Sequence, residues 1–202
     1  MKRFVEINYL VIMVVLISLI APYPLSAGKT ASKPKEATKS AKQNAKDAHG
    51  WNKAEWGMTK EQLLKAIDGA VEIEKTPYTS EPGKNLYEIV KVPEVTIGID
   101  KFSPALYMSE KDNKLHMVKL FHGNAIESQF GNIKSLLTQK YGSPTLDDQV
   151  RNRDDYENKA KWILPSTSIE LVYIGPTRHF PFSPLCLVYT DIKFFTEDMD
   201  KL

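Results

Sequence analysis

The chain has 202 residues, of which 42% are hydrophobic and 26% charged, and one cysteine, Cys186. That length and mix suffice for one ordinary domain with its own core, and a lone cysteine excludes an internal disulfide framework and any Cys-x-x-Cys metal or redox motif. The net charge of +2 is uneven: Lys2 and Arg3 against Glu6 leave +1 in residues 1–27, and six lysines against Glu36 and Asp47 leave +4 in residues 28–50, so the remainder carries −3. A faintly acidic remainder excludes a nucleic-acid footprint there.

Lys2 and Arg3 precede the apolar run Tyr9 to Ala21, which Pro22 and Pro24 break and Leu25-Ser26-Ala27 follows. This predicts a signal peptide over residues 1–27, cut between Ala27 and Gly28, with no cysteine after it for a lipid anchor. The alternative is an uncleaved anchor, since a run counted from Val5 nears the shortest spanning length; Glu6, Asn8 and the prolines oppose it. The chain is therefore expected to be exported, to the periplasm of a Gram-negative host or otherwise to the medium, and to touch a membrane only through that segment.

Residues 28–50 hold little but Lys, Ala, Ser, Thr, Gln and Asn. They cannot bury enough surface to offset ordering entropy and read as a disordered basic linker. Residues 51–202 read as one α+β domain. Thr59 and Gln62 form a capping-box pattern, followed by Leu63, Leu64 and Ile67 at helical spacing and a stop at Asp68-Gly69. Strands are predicted over residues 86–92, 95–99, 105–109 and 115–122, separated by Pro93, Pro104 and the polar turn Lys111 to Lys114.

A second helix spans residues 125–141 on Ile126, Phe130, Ile133, Leu136, Leu137 and Tyr141, with Gly142 as cap and Pro144 as stop. Residues 149–161 are so charged that they read as an exposed excursion. Strands over residues 160–164, 168–174 and 185–192 complete an antiparallel sheet of six or seven strands with two helices on one face. The faint echo of Trp56-Gly57 to Gly69 in Phe130-Gly131 to Gly142 admits two α-plus-meander halves.

Trp56-Gly57-Met58-Thr59-Lys60-Glu61-Gln62, Lys114-Leu115 in a strand, and Lys140-Tyr141-Gly142-Ser143-Pro144 resemble small exported bacterial domains of mostly unassigned function. Those domains are similar in fold to β-lactamase-inhibitor-protein-like and outer-membrane-assembly-lipoprotein-like domains. The resemblance spans roughly residues 51–192 and implies a fold and a tendency to bind other proteins, although the lipidated cysteine of the assembly lipoproteins is missing.

The familiar catalytic signatures and phosphate-cradling loops are absent from the sequence, and no cofactor or metal is expected. His116 and His122 fall on one face of a regular strand but about 20 Å apart, too far to share an ion. The aspartates 147, 148, 154 and 155 lack a calcium-loop pattern and read as a solvated face. Arg178, His179, Phe180 and Phe182 put a cation, an imidazole and two rings on a proline-stiffened loop, the candidate binding surface; the competing reading folds the rings into the core. Trp51, Trp56 and Trp162 read as core before they read as a sugar or peptide groove. Cys186, in an apolar run, reads as a buried thiol.

The leading expectation is a non-enzymatic envelope module that binds another protein through one sheet face or the Phe180 to Phe182 loop. Its rivals are an unrecognised hydrolase-type enzyme, using His116 or His179 with a carboxylate, and a passive envelope protein.

Overall fold

The computed structural model describes residues 47–78, 85–151, 156–177 and 181–196. The backbone contacts divide the chain into Met1–Ala41, which lies outside the described residues together with the expected signal segment, and Lys42–Leu202. The second unit is α+β. Its elements are β1 (Gly50–Trp51), β2 (Ala54–Glu55), α1 (Lys60–Ala66), β3 (Val71–Tyr78), β4 (Leu86–Lys91), β5 (Val95–Ile97), β6 (Asp100–Ser109) and β7 (Leu115–His122). Then follow α2 (Glu127–Tyr141), β8 (Leu146–Arg151), β9 (Tyr156–Ile163), β10 (Thr167–Ile174), β11 (Leu185–Asp191) and α3 (Ile192–Thr196).

Nine antiparallel strands form one sheet in the order β3-β4-β6-β7-β11-β10-β9-β8, with β5 paired to β6, while β1 and β2 make a separate two-stranded ribbon. The described residues thus hold more strands than the six or seven read from sequence, and three helices instead of two. Val71–Tyr78 carries no strand signal in the sequence because its hydrophobic alternation is diluted by Glu72, Glu74, Lys75 and Pro77; it is an exposed edge strand, where such residues are tolerated. The supposed excursion after α2 is two strands. β8 is exposed at all six positions, so nothing selects apolar residues there, whereas β9 buries Asn158, Ala160 and Trp162 at alternate positions.

Both long helices start and stop where the sequence directs. Thr59 Oγ1 accepts from Gln62 N–H at 3.4 Å while Gln62 Oε1 accepts from Thr59 N–H at 2.8 Å, closing the capping box. At the head of α2, Gln129 Oε1 accepts from Ile126 N–H at 2.7 Å, and at its end Gly142 adopts φ 88°, the left-handed region glycine tolerates.

The register lays side chains in rows across the sheet. Leu106, Val118, Tyr189, Ile169 and Trp162 form one row, and Pro104, Leu120, Leu187, Leu171 and Ala160 the next. All of these residues are buried, and all but Pro104 share one core with Leu63 and Ile67 on the α1 side and with Phe130, Ile133, Leu137 and Tyr141 of α2. Trp56 donates to Thr167 Oγ1 and Trp162 to the Gly142 carbonyl, both at 2.8 Å, so these indoles fix the ribbon and the α2 terminus to that core.

Asp47 to Gly50, whose composition reads as linker, belong to the fold: Asp47 accepts from Ser166 N–H, Thr167 donates to the Ala48 carbonyl, and Trp56 N–H donates to the His49 carbonyl.

Candidate functional site: the His116 groove and the open sheet face

The register of β6 with β7 slips once: Tyr107 faces Met117 and Met108 faces Leu115, leaving His116 bulged out between them. A bulge re-aims the side chain it carries. His116 consequently stacks on Phe194 of α3, with ring centroids 3.9 Å apart and planes at 14°, whereas His122 lies 5.7 Å from Phe102 in the main core. The shared face that regular alternation predicts for the two histidines does not form.

Two carboxylates meet His116. Asp112 comes from the polar β6–β7 turn, where its Oδ1 accepts from Lys114 N–H and its Oδ2 lies 2.9 Å from His116 Nε2. Asp191 ends β11, which pairs with β7 up to Thr190 and Met117, beside the bulge. Asp191 Oδ1 accepts from Lys193 N–H at the start of α3, and its Oδ2 lies 2.9 Å from His116 Nδ1.

A carboxylate only accepts, so the ring donates to both partners at once when both of its nitrogens carry protons. Burial pulls its pKa down, but hydrogen bonds from the ring to Asp191 and Asp112 outweigh that and hold the value above the ordinary histidine range. The cluster borders a groove of about 590 Å³ lined in part by His49, Trp56, Lys111, Lys114 and Lys193.

With both nitrogens engaged, His116 has no lone pair to receive a substrate proton, so its geometry suits a structural pin better than a general base. Nearby, Ser166 Oγ lies 3.4 Å from His49 Nδ1, and Asp47 Oδ2 lies 3.5 Å from that same nitrogen. A nucleophile, base and orienter must use opposite ring nitrogens, so this trio is not a proton relay.

The sheet face turned away from α2 carries the second candidate. One row across it reads Ser103, Phe121, Cys186, Val172, Lys159 and Asp148; the next reads Ala105, Lys119, Val188, Glu170, Lys161 and Leu146. Phe121 is 41% exposed, Leu146 44%, Val150 40% and Ile163 58%, all on this face by register. Lys159 Nζ lies 2.9 Å and Lys161 Nζ 3.8 Å from the two oxygens of Glu170. At one end of this face lies α3, where Phe194 packs with Leu86 and Met117 and with the flanking Tyr78, Tyr107 and Val188. Burial raises the carboxyl pKa of Glu88, which the register sets opposite Tyr107.

Of the loop singled out in sequence, Arg178, His179 and Phe180 lie outside the described residues, and Phe182 is 46% exposed. Beside it Ala125 N–H donates to the Ser183 carbonyl. Asp154 and Asp155 also lie outside the described residues; Asp147 pairs with Lys134 across to α2 at 2.6 Å. Cys186 is buried, and burial raises its thiol pKa. Sequence reasoning missed Asp191 and Phe194 as partners of His116, since their meeting depends on which strand lies beside β7. Asp112, four residues before His116 across a predicted turn, was the readable half.

No model of a known protein family, no curated protein and no solved structure matches this chain.

Proposed function

We propose that this chain is an exported envelope protein that acts by binding another protein, its partner meeting the sheet face that bears Phe121, Val188, Lys119, Glu170 and Lys161. The observation that carries this reading is that face: four partly exposed large apolar side chains interleaved with a Lys-Glu-Lys group on a rigid sheet, as protein-recognition surfaces require. The rival enzyme reading is weakened by the doubly engaged His116.

The finer fold reading belongs to the same proposal. α1 with β3, β4, β6 and β7, and α2 with β8 to β11, correspond to two α-plus-meander halves meeting at β7 and β11, as the resemblance to inhibitor-like domains implies.

The test is a crosslinked pull-down from native envelopes with the chain expressed from Met1, in three versions: wild type, Phe121→Ser/Lys119→Glu, and Phe180→Ala/Phe182→Ala. A protein enriched by wild type and the loop variant but lost with the face variant supports the reading. Loss with the loop variant alone moves the site to residues 178–184, and no enrichment above an unrelated exported control overturns the reading in favour of a passive envelope protein.

A further inference from the structure

The sheet ends in two strands that lack a described neighbour on one side, β3 and β8. They are not equivalent. β3 is blocked as a template, because its register with β4 shifts between Glu72 and Thr76 and Pro77 lacks an N–H. β8 pairs with β9 at six successive positions without a shift, contains no proline, and is exposed throughout. A straight edge of that kind is suited to strand addition.

We propose that β8 is a homodimer edge: a second copy of this chain adds its own β8 antiparallel, continuing the sheet across a two-fold axis at Gln149. This inference goes beyond the proposed function, since it uses the edge of the sheet and not its open face. Directly opposed residues in an antiparallel pair lie on the same face, so the pairing must centre on a residue. The β9 register and the ion pairs to α2 place Asp147, Gln149 and Arg151 on the helix face, and Leu146, Asp148 and Val150 on the other.

Charge selects among the centres. An axis at Asp147 or at Asp148 sets a carboxylate against its own copy, which is unfavourable. An axis at Val150 leaves Arg151 facing Gln149. The axis at Gln149 alone sets Asp147 opposite the Arg151 of the other copy, twice by symmetry.

Both side chains are already held upright beside the edge, Asp147 by Lys134 at 2.6 Å and Arg151 by Glu127 at 3.0 Å. Docking therefore completes an alternating row: Lys134 and Asp147 of one copy, then Arg151 and Glu127 of the other. Such a row fixes register and selects the partner.

Sedimentation of the chain expressed from Met1 and recovered after export reads this directly. The wild type is expected to shift from monomer to dimer over a concentration series. Asp147→Arg is expected to weaken the dimer at least tenfold, and Asp147→Arg/Arg151→Asp to restore it. The restored pair exists only between copies, since within a chain both changes oppose Lys134 and Glu127. Gln149→Cys supplies an independent readout: opposed Cα atoms at an antiparallel position are about 4.5–5.5 Å apart, within disulfide reach, so mild oxidation should link two chains at that position and not at Asp148→Cys. A monomer at every concentration, a dimer indifferent to Asp147→Arg in a variant whose circular dichroism is native, or crosslinking that is equal at the two cysteine positions overturns the proposal.

Discussion

His116 binds both aspartates only while it carries two protons, which makes its contribution to folding depend on pH in a definite direction. Its folded pKa lies above the unfolded value of about 6.5, so the stabilisation is complete below that pH and is lost as pH rises through the folded pKa. Neutral imidazole keeps one donor and turns a lone pair toward the other carboxylate. Groups near the ring, besides Asp112 from the turn and Asp191 from β11, include Lys111, Lys114, Lys193, His49 and Glu55 around the groove, and their exposure keeps their influence screened. Wild type should therefore exceed His116→Gln in denaturant stability most below pH 6.5, the gap narrowing as pH rises; a gap that widens with pH would reverse the assignment of charge. His116→Ala leaves two carboxylates facing each other near a buried ring and should cost about 3 kcal/mol at pH 6, the range for breaking a buried ion pair.

Elements whose local chemistry is self-contained could be read directly from the chain. The Thr59–Gln62 box, the Gly142 cap and the alternation of Leu115 to His122 each draw on a few neighbouring residues, and each element formed where the residues placed it. Thr59→Ala should accordingly cost about 1 kcal/mol in urea unfolding, the usual loss for removing a helix cap. β3 and β8 were opaque for one reason: an edge strand exposed on both sides keeps neither apolar alternation nor freedom from charge. The bulge at His116 hid the candidate site in another way. An extra residue flips every later side chain relative to the expected face, and whether it occurs is settled by the pairing of β6 with β7, not by the order of residues in β7. α3 also depends on the pairing, because its five residues carry no periodic signal long enough to count, and it is held by the Asp191 cap and by Phe194 stacked on His116.

At the scale of the whole molecule, both long helices lie with one core while the opposite face keeps aliphatic and charged side chains together. That division separates folding from recognition: the buried rows set stability, and the open rows are free to set partner choice. Glu170 tests the separation, because it stands between Lys159 and Lys161 and near Val188 but touches none of the buried rows. Partly exposed ion pairs are worth at most about 1 kcal/mol each, and Glu170 makes two, so Glu170→Lys should lower stability by about 2 kcal/mol at most in chemical denaturation, far less than a buried-row truncation. The same change places three lysines side by side on the face and reverses the charge at its centre. If a protein partner meets this surface, its binding should fall with Glu170→Lys and recover in part as salt rises and screens the repulsion. Unchanged binding in a variant that folds normally would remove the face from the interaction and leave the Phe182 loop as its seat.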